Sequence, residues 1–89
     1  MQPKTKGMFA ITIDIEASAE QLKEIRALLL QHGFVQQIGG FFLSESNEMT
    51  SLFNALNALK ATPWLVQSVR DIRAFRVENW SDFTQFIKE

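Results

Sequence analysis

Bulky hydrophobic residues alternate with small or polar ones in MFAITIDI, the segment from Met8 to Ile15. A period of two, rich in β-branched residues, predicts a strand. The row expected to pack under helices consists of Phe9, Ile11, Ile13 and Ile15. Asp14 belongs to the opposite row and is expected on the helix-free face of a sheet. The seven residues before this strand have no apolar pattern and are interpreted as a flexible N-terminal extension to a single domain, residues 8–89.

A first helix is predicted after this strand. Ser18 is expected to be its N-cap, with Gln21 three residues later as a capping box requires. Gly33, which follows His32, can end the helix in the left-handed conformation. The apolar stripe consists of Leu22, Ile25, Leu28 and Leu29.

A second helix is predicted to start at an N-cap provided by Ser46 or Asn47. It is expected to end at Thr62-Pro63, because the residue before a proline is disfavoured in the helical conformation. Trp64, Leu65 and Val66 then form a link to a strand over about Val69 to Val77. The apolar stripe of this helix consists of Met49, Leu52, Phe53, Leu56 and Leu59.

Two short strands, Phe34 to Ile38 and Phe41 to Ser44, are predicted around Gly39-Gly40, since adjacent glycines can supply the positive φ angles of a tight hairpin turn. The order β-α-β-β-α-β predicts an α+β, ferredoxin-like domain, with an antiparallel sheet and two helices on one face.

A short C-terminal helix is expected in the tail, with Ser81 as its cap and a fifth strand as the alternative. Its apolar residues are Phe83, Phe86 and Ile87.

The composition restricts the classes of function. Nine Lys and Arg face ten Asp and Glu, for a formal net charge of -1, so any nucleic-acid contact must rest on a local basic patch. Cysteine is absent and histidine occurs once, which excludes cysteine chemistry and a multi-histidine metal site within one chain. No apolar run approaches the ~20 residues of a membrane helix, so a cytoplasmic protein is expected.

Asp14 and three arginines of the last strand are the candidates for chemistry. Asp14 is a candidate catalytic carboxylate, and the alternative is a solvated aspartate that starts a turn. Arg70 and Arg76 share strand parity, and Arg73 lies on the other side with Asp71, so the arginines do not form one basic row. They are expected to bind phosphate, which a guanidinium can hold through two parallel hydrogen bonds, or to form ion pairs and dimer contacts. Asp71 is expected to pair with a neighbouring arginine.

The remaining candidates have simpler structural interpretations. His32, in the last turn of the first helix, is expected to interact with the helix dipole more than to act in catalysis. Four aromatic residues could stack on bases, although core or interface packing is the preferred interpretation. They are Trp64, Trp80, Phe83 and Phe86.

Three segments together resemble the virulence-associated protein D (VapD) family, which is related to small CRISPR-associated ferredoxin-like ribonucleases. They are MFAITIDI, the segment LFNALNAL with Trp64, and SVRDIRAFRVENWSDF from Ser68 to Phe83. The likeness covers nearly all of Met8 to Glu89. It implies a homodimer with endoribonuclease activity on RNA and toxin–antitoxin behaviour, and it puts Asp14 at the position of the family's functional aspartate.

The resemblance also implies how such a site would work. Two Asp14 carboxylates would approach each other across a two-fold axis and hold a Mg²⁺, or Asp14 would be a metal-free general base on a ribose 2′-hydroxyl. The chain departs from the family pattern after the second strand, where Gly40 replaces a serine implicated in activity. The connection after Asp14 is also shorter than in familiar members.

Two other classes of function stay open. The missing serine and the aromatic content favour a non-catalytic dimeric module that binds a protein, such as an antitoxin, or an RNA. A ferredoxin-like small-molecule sensor is the third interpretation, and the sequence shows no ligand-binding motif for it.

Overall fold

The structure is a computed structural model that describes residues 8–46, 48–77 and 83–88. The predicted N-terminal extension, residues 1–7, lies outside the described residues, as do Asn47 and Ser81. The elements in chain order are β1 (Met8–Ile15), α1 (Ala19–Gln31), β2 (Phe34–Ile38), β3 (Phe41–Ser44), α2 (Met49–Lys60), α3 (Pro63–Ser68), β4 (Val69–Val77) and α4 (Thr84–Lys88).

The four strands form one sheet in the order β2-β3-β1-β4, and each neighbouring pair is antiparallel. β1 and β2 are joined through α1, and β3 lies between them in the sheet. This is the split βαβ arrangement of a ferredoxin-like fold, as the order of elements predicts. The two edge strands are β2 and β4.

The hydrophobic core lies on one face of the sheet, beneath α1 and α2. Phe9 and Ile11 of β1 are buried there, as the alternation in the sequence predicts. The core side chains from the other elements are Ile25, Leu29, Phe34, Phe42, Leu52, Ala55, Leu59 and Leu65. Burial of this apolar surface is the main favourable contribution to folding and fixes which row of β1 faces away from the helices.

The ends of α1 are those that the sequence predicts. The Ser18 hydroxyl accepts a hydrogen bond from the Gln21 backbone N–H at 3.1 Å, and the Gln21 side chain accepts one from the Ser18 N–H at 3.0 Å. This reciprocal pair is a capping box. Gly33 adopts φ 85° just after the C-cap residue His32, where a side chain would be disfavoured.

The predicted start of α2 is wrong. Its N-cap is Glu48, whose side chain makes no capping hydrogen bond. Ser46 lies outside the helix, and its hydroxyl instead accepts a hydrogen bond from the Glu48 N–H at 3.1 Å and donates one to the Ser51 hydroxyl at 3.2 Å. The polar connection thus stabilises the approach to the helix without capping it.

The segment after Thr62-Pro63 is helical and is more than the predicted link. α2 ends at Lys60, and Pro63 occupies the first turn of α3, where its fixed φ angle and missing N–H are tolerated. Trp64 packs against the core, which confirms the structural interpretation for this residue. β4 follows directly, over the predicted residues Val69–Val77.

The tail forms a short helix, so the competing fifth strand is wrong for residues 84–88. Phe83 and Phe86 are 64% and 71% exposed and contact each other edge to face, at 6.3 Å between ring centroids. The core interpretation is therefore wrong for these two residues within one chain. Trp80 lies outside the described residues. In the part of the chain that the structure describes, no helix has both the length and the hydrophobicity needed to cross a membrane.

Candidate active site

Asp14 lies near the end of β1, and its side chain is 62% exposed. Its row in β1 faces away from the helices, which agrees with the predicted orientation. The residue directly opposite it on β4 is Asp71. Cβ atoms of opposite residues in antiparallel strands are about 4.5–5.5 Å apart, so two carboxylates share this end of the sheet.

The Gly39-Gly40 turn packs against the same end of β1. Gly39 has φ 52°, as predicted for a tight turn, and the backbone N–H of Ile13 donates to the Gly40 carbonyl at 2.8 Å. A Cβ atom at Gly40 would overlap the carbonyl oxygen of Ile13. The second glycine is therefore required by the close approach of two backbones, and its φ angle is not positive.

Arg70 contacts the Asp14 carboxylate directly. Its Nη2 donates to Asp14 Oδ1 at 3.0 Å, and its Nη1 donates to Glu16 Oε1 at 3.2 Å. The hydrogen bond and the charge of Asp14 raise the pKa of Arg70 above its ordinary value. Both ion pairs are exposed and therefore contribute little to stability.

The side of β4 on which Arg70 is predicted to lie, from the alternation of an ideal strand, is wrong. Asp14 pairs with Asp71, whereas Ile15 pairs with Val69, so Arg70 is an extra residue in β4 at a β-bulge. A bulge changes the direction of a side chain relative to the regular alternation. Arg70 consequently reaches Asp14, although sequence parity predicts that it lies on the opposite side of the sheet.

The other two arginines have different surroundings. Arg73 Nε donates to both oxygens of Asp71, at 3.0 and 3.2 Å, which confirms the predicted pairing of Asp71 with a neighbouring arginine. The Arg76 guanidinium lies 5.3 Å from the centroid of the Phe9 ring, a cation–π contact. Arg70 and Arg73 thus gather beside the two aspartates, and Arg76 lies further along β4.

Two surface depressions meet at Asp14. One, of about 250 Å³, is lined by Thr12, Phe41 and Asp71, on the helix-free face. The other, of about 290 Å³, lies between α1 and the Gly39-Gly40 turn. His32 is at the far end of α1, about 20 Å away along a helix of 13 residues, so the structure does not bring it to this site.

Comparison with known proteins identifies the relatives of this chain. No family model matches it. Endoribonuclease VapD of Haemophilus influenzae is 52% identical over 65 residues, which cover 73% of this chain and 71% of the relative. Endoribonuclease VapD homolog of Neisseria gonorrhoeae is 38% identical over 91 residues, covering 91% and 99%. The chain belongs to the VapD family. Endoribonuclease VapD of Dichelobacter nodosus, at 37% identity over 95 residues and 91% and 98% coverage, agrees with this assignment.

The carboxylates near Asp14 determine how this VapD family member could bind a metal ion. Among the described residues, no group of three or more His, Asp and Glu side chains could enclose a metal ion. Asp14 and Asp71 nevertheless provide two neighbouring carboxylates. Mg²⁺ commonly keeps several waters and binds through one or two carboxylates together with substrate phosphates. The pair therefore fits a Mg²⁺ that arrives with a phosphate, and it does not form a closed metal cage.

Asp71 is a site residue that sequence reasoning misses, and Glu16 is a neighbour of the site, bound to Arg70. The sequence indicates Asp71 only as an ion-pair partner, because its register against Asp14 depends on the pairing of β1 with β4. The alternation of β4 was visible in the sequence, and it placed Asp71 and Arg73 on one face. Glu16 lies beyond the end of β1 and reaches the site only through the bulged Arg70.

Proposed function

We propose that this VapD family member is an endoribonuclease in which Asp14 is the catalytic carboxylate. The observation that carries the proposal is the pair Asp14 and Asp71, exposed at one end of the sheet and each bound to an arginine. Like charges directly opposite each other destabilise a sheet. The presence of both carboxylates at this position therefore indicates a functional role for the pair. The relatives named endoribonuclease support RNA as the substrate.

In this proposal Asp14 accepts the proton of a ribose 2′-hydroxyl as that oxygen attacks the neighbouring phosphorus. The P–O5′ bond breaks, a 2′,3′-cyclic phosphate forms, and the departing 5′-oxygen takes a proton from water. A general base of this kind typically contributes 10²–10⁴-fold to the rate. Arg70 and Arg73 bind the phosphate and stabilise the charge that develops on it. Arg70 binds Asp14 in the free protein. A phosphate that binds the Arg70 guanidinium in place of Asp14 therefore also releases the Asp14 carboxylate to act as the base. A bound Mg²⁺, held by Asp14 and Asp71, would add charge neutralisation at the phosphate.

The proposal is tested with RNA and the purified protein. We expect cleavage of a mixed RNA pool, measured by gel electrophoresis. If the metal-free base is sufficient, a chelator leaves the rate unchanged; if Mg²⁺ is required, the chelator abolishes cleavage and added Mg²⁺ restores it. An intact pool in both conditions would contradict the proposed activity.

A homodimer is part of the same proposal. An apolar row crosses all four strands on the helix-free face, in register: Val35, Leu43, Ala10 and Phe75. The two ends of the row are exposed, Val35 by 50% and Phe75 by 44%, whereas Leu43 and Ala10 between them are buried. Exposed apolar side chains on a sheet face are typical of an interaction surface, and a second copy would cover Val35 and Phe75. Pairing of two Asp14 carboxylates across the two-fold axis stays a prediction of this arrangement.

Light scattering tests the dimer. We expect a mass twice the 10.2 kDa of the chain at tens of micromolar protein. Phe75→Glu should shift the protein to the monomer mass, because a charge would be buried in the apolar row. Phe53→Glu is the matched control, since Phe53 is 56% exposed on α2, away from this face, and should leave the dimer intact. A wild-type mass of 10.2 kDa would contradict the dimer.

One observation favours a second function, a non-catalytic dimeric module that binds an RNA or a protein such as an antitoxin. Gly40 has no hydroxyl, and the backbone of Ile13 leaves no room for a side chain there. A VapD-like toxin that depends on the serine would therefore be inactive in this form. RNA binding without cleavage in the assay above, or capture of a partner protein with intact RNA, would support the module.

A further inference from the structure

The depression between α1 and the Gly39-Gly40 turn has the composition of a ligand site. Its floor is apolar, with contributions from Leu22, Ile25 and Phe42, and three polar residues also line it. They are Arg26, Gln36 and, at the end of β1, Asp14. Small-molecule sites are typically apolar depressions with a few polar groups that fix orientation.

Arg26 differs from the arginines of β4 in its electrostatic surroundings. Arg70 and Arg73 are each bound to carboxylates. Arg26 forms no ion pair with the described residues, so its guanidinium keeps its full capacity for an anion. It lies on α1 four positions after Leu22 and one after Ile25, which places all three on the side of the helix that borders the depression. A phosphate could therefore bind at this guanidinium without displacing an internal partner.

Gln36 supplies a fixed polar group on the opposite wall. Its Nε2 donates to the Gly39 carbonyl at 2.7 Å, which orients the amide and ties it to the turn. Among the described residues, no donor binds its Oε1, so that oxygen can accept a hydrogen bond from the amino group or ring N–H of a base. A volume of about 290 Å³ is at the lower end of ligand sites, which span about 300–1,000 Å³. The depression thus has room for one nucleotide.

We propose that this depression binds one nucleotide of an RNA strand, with the base on the apolar floor near Gln36 and the phosphate on Arg26. This nucleotide subsite rests on the proposed function for the identity of its ligand as RNA. Asp14 borders both this depression and the one on the helix-free face, so the adjoining phosphodiester can continue past the end of β1 to the candidate catalytic carboxylate. Arg26 is a positioning residue in this scheme, and Gln36 contributes to the choice of base.

The test titrates the whole chain with nucleoside 3′-monophosphates, free nucleosides or inorganic phosphate. Binding is detected by ¹H–¹⁵N NMR. We expect amide shifts at Ile25, Arg26, Gln36 and the two glycines. The monophosphate should bind more tightly than either the nucleoside or inorganic phosphate. Arg26→Gln should weaken monophosphate binding about tenfold, because one charge-assisted bidentate contact is lost. Arg26→Lys should weaken it less, since the charge is kept.

Lys23→Gln is the matched control, because it removes one positive charge from the same helix at a position that does not line the depression. It should change monophosphate binding less than twofold. Equal weakening by Arg26→Gln and Lys23→Gln would overturn the subsite, as would amide shifts confined to the helix-free face.

Parallel cleavage measurements separate this inference from the proposed activity. If monophosphates bind in the depression but RNA is not cleaved, the result would support the subsite and contradict the endoribonuclease activity. Cleavage that Arg26→Gln leaves unchanged, with unchanged monophosphate binding, would contradict the subsite and keep the endoribonuclease. If both proposals hold, Arg26→Gln raises KM for a short RNA about tenfold and changes kcat little, the pattern of a binding group that does not take part in the reaction.

Discussion

Replacing Asp14 with asparagine is expected to lower the rate of RNA cleavage at least about 100-fold, since the amide cannot accept the proton that a carboxylate base removes. Asparagine has nearly the shape of aspartate, and its side-chain oxygen can still accept the hydrogen bond from Arg70. Because the side chain is 62% exposed, the substitution should leave the fold intact. The measurement is the cleavage rate of a short labelled RNA, with circular dichroism to verify folding.

Glu16→Gln provides a control with the same change of charge. Glu16 contacts the same arginine as Asp14, at 3.2 Å, but lies beyond the end of β1 and outside both depressions that meet at Asp14. We expect its variant to cleave RNA within about threefold of the wild-type rate, because exposed ion pairs have small energetic effects. Equal losses in the two variants would mean that the local negative charge matters and that Asp14 has no specific catalytic role.

Arg70 should not contribute to the pH dependence of any activity. The Asp14 hydrogen bond raises the pKa of Arg70 from an already basic value, so its guanidinium stays charged throughout a biochemical assay. Stability that Arg70 gains from this pairing is present below its ordinary pKa and is lost only at more alkaline pH. A fall in the cleavage rate on moderate acidification, measured as a pH–rate profile, would therefore not come from Arg70.

Much of the fold could be predicted from the sequence because local rules and long-range packing agree there. The alternation in β1 identifies both the buried row and the exposed row with Asp14. The Ser18 capping box and Gly33 mark the ends of α1 through contacts within a few residues. Such short-range chemistry is present in the sequence itself. The predicted start of α2 is wrong because the Ser46 hydroxyl forms local hydrogen bonds that compete with capping.

The candidate site was harder to predict because its geometry depends on how β1 and β4 pair. Asp14 was identified, but its neighbour Asp71 is 57 positions later and becomes relevant only through the strand register. The bulge at Arg70 has no clear sequence signal, and it reverses the parity on which the prediction for that residue depended. No sequence signal marks Arg26 as functional, since an exposed arginine on a helix is common, and the depression beside it exists only in the folded chain.

The largest change in stability is expected for Gly40→Ser, which introduces the side chain found in the familiar VapD pattern. Its Cβ would overlap the Ile13 carbonyl oxygen, and relief requires separation of two backbones that the Ile13–Gly40 hydrogen bond of 2.8 Å holds together. Overpacking of this kind costs about 1–3 kcal/mol. Urea denaturation should show a lower midpoint with an unchanged slope.

Gly39→Asn separates this steric effect from a general intolerance of the turn. Gly39 has φ 52°, a conformation that asparagine adopts more readily than most residues, and no atom lies within 4 Å of its Cβ position. We expect this variant to lose no more than about 1 kcal/mol, the low end of the cost of the left-handed conformation for a residue with a side chain. If Gly40→Ser were as stable as Gly39→Asn, the turn could move away from Ile13. A serine hydroxyl could then be accommodated beside Asp14, and the variant should cleave RNA faster than the wild type. A strongly destabilised Gly40→Ser variant would instead mean that the backbone contact excludes the serine, so that catalysis in this chain has to rely on Asp14 and its arginines.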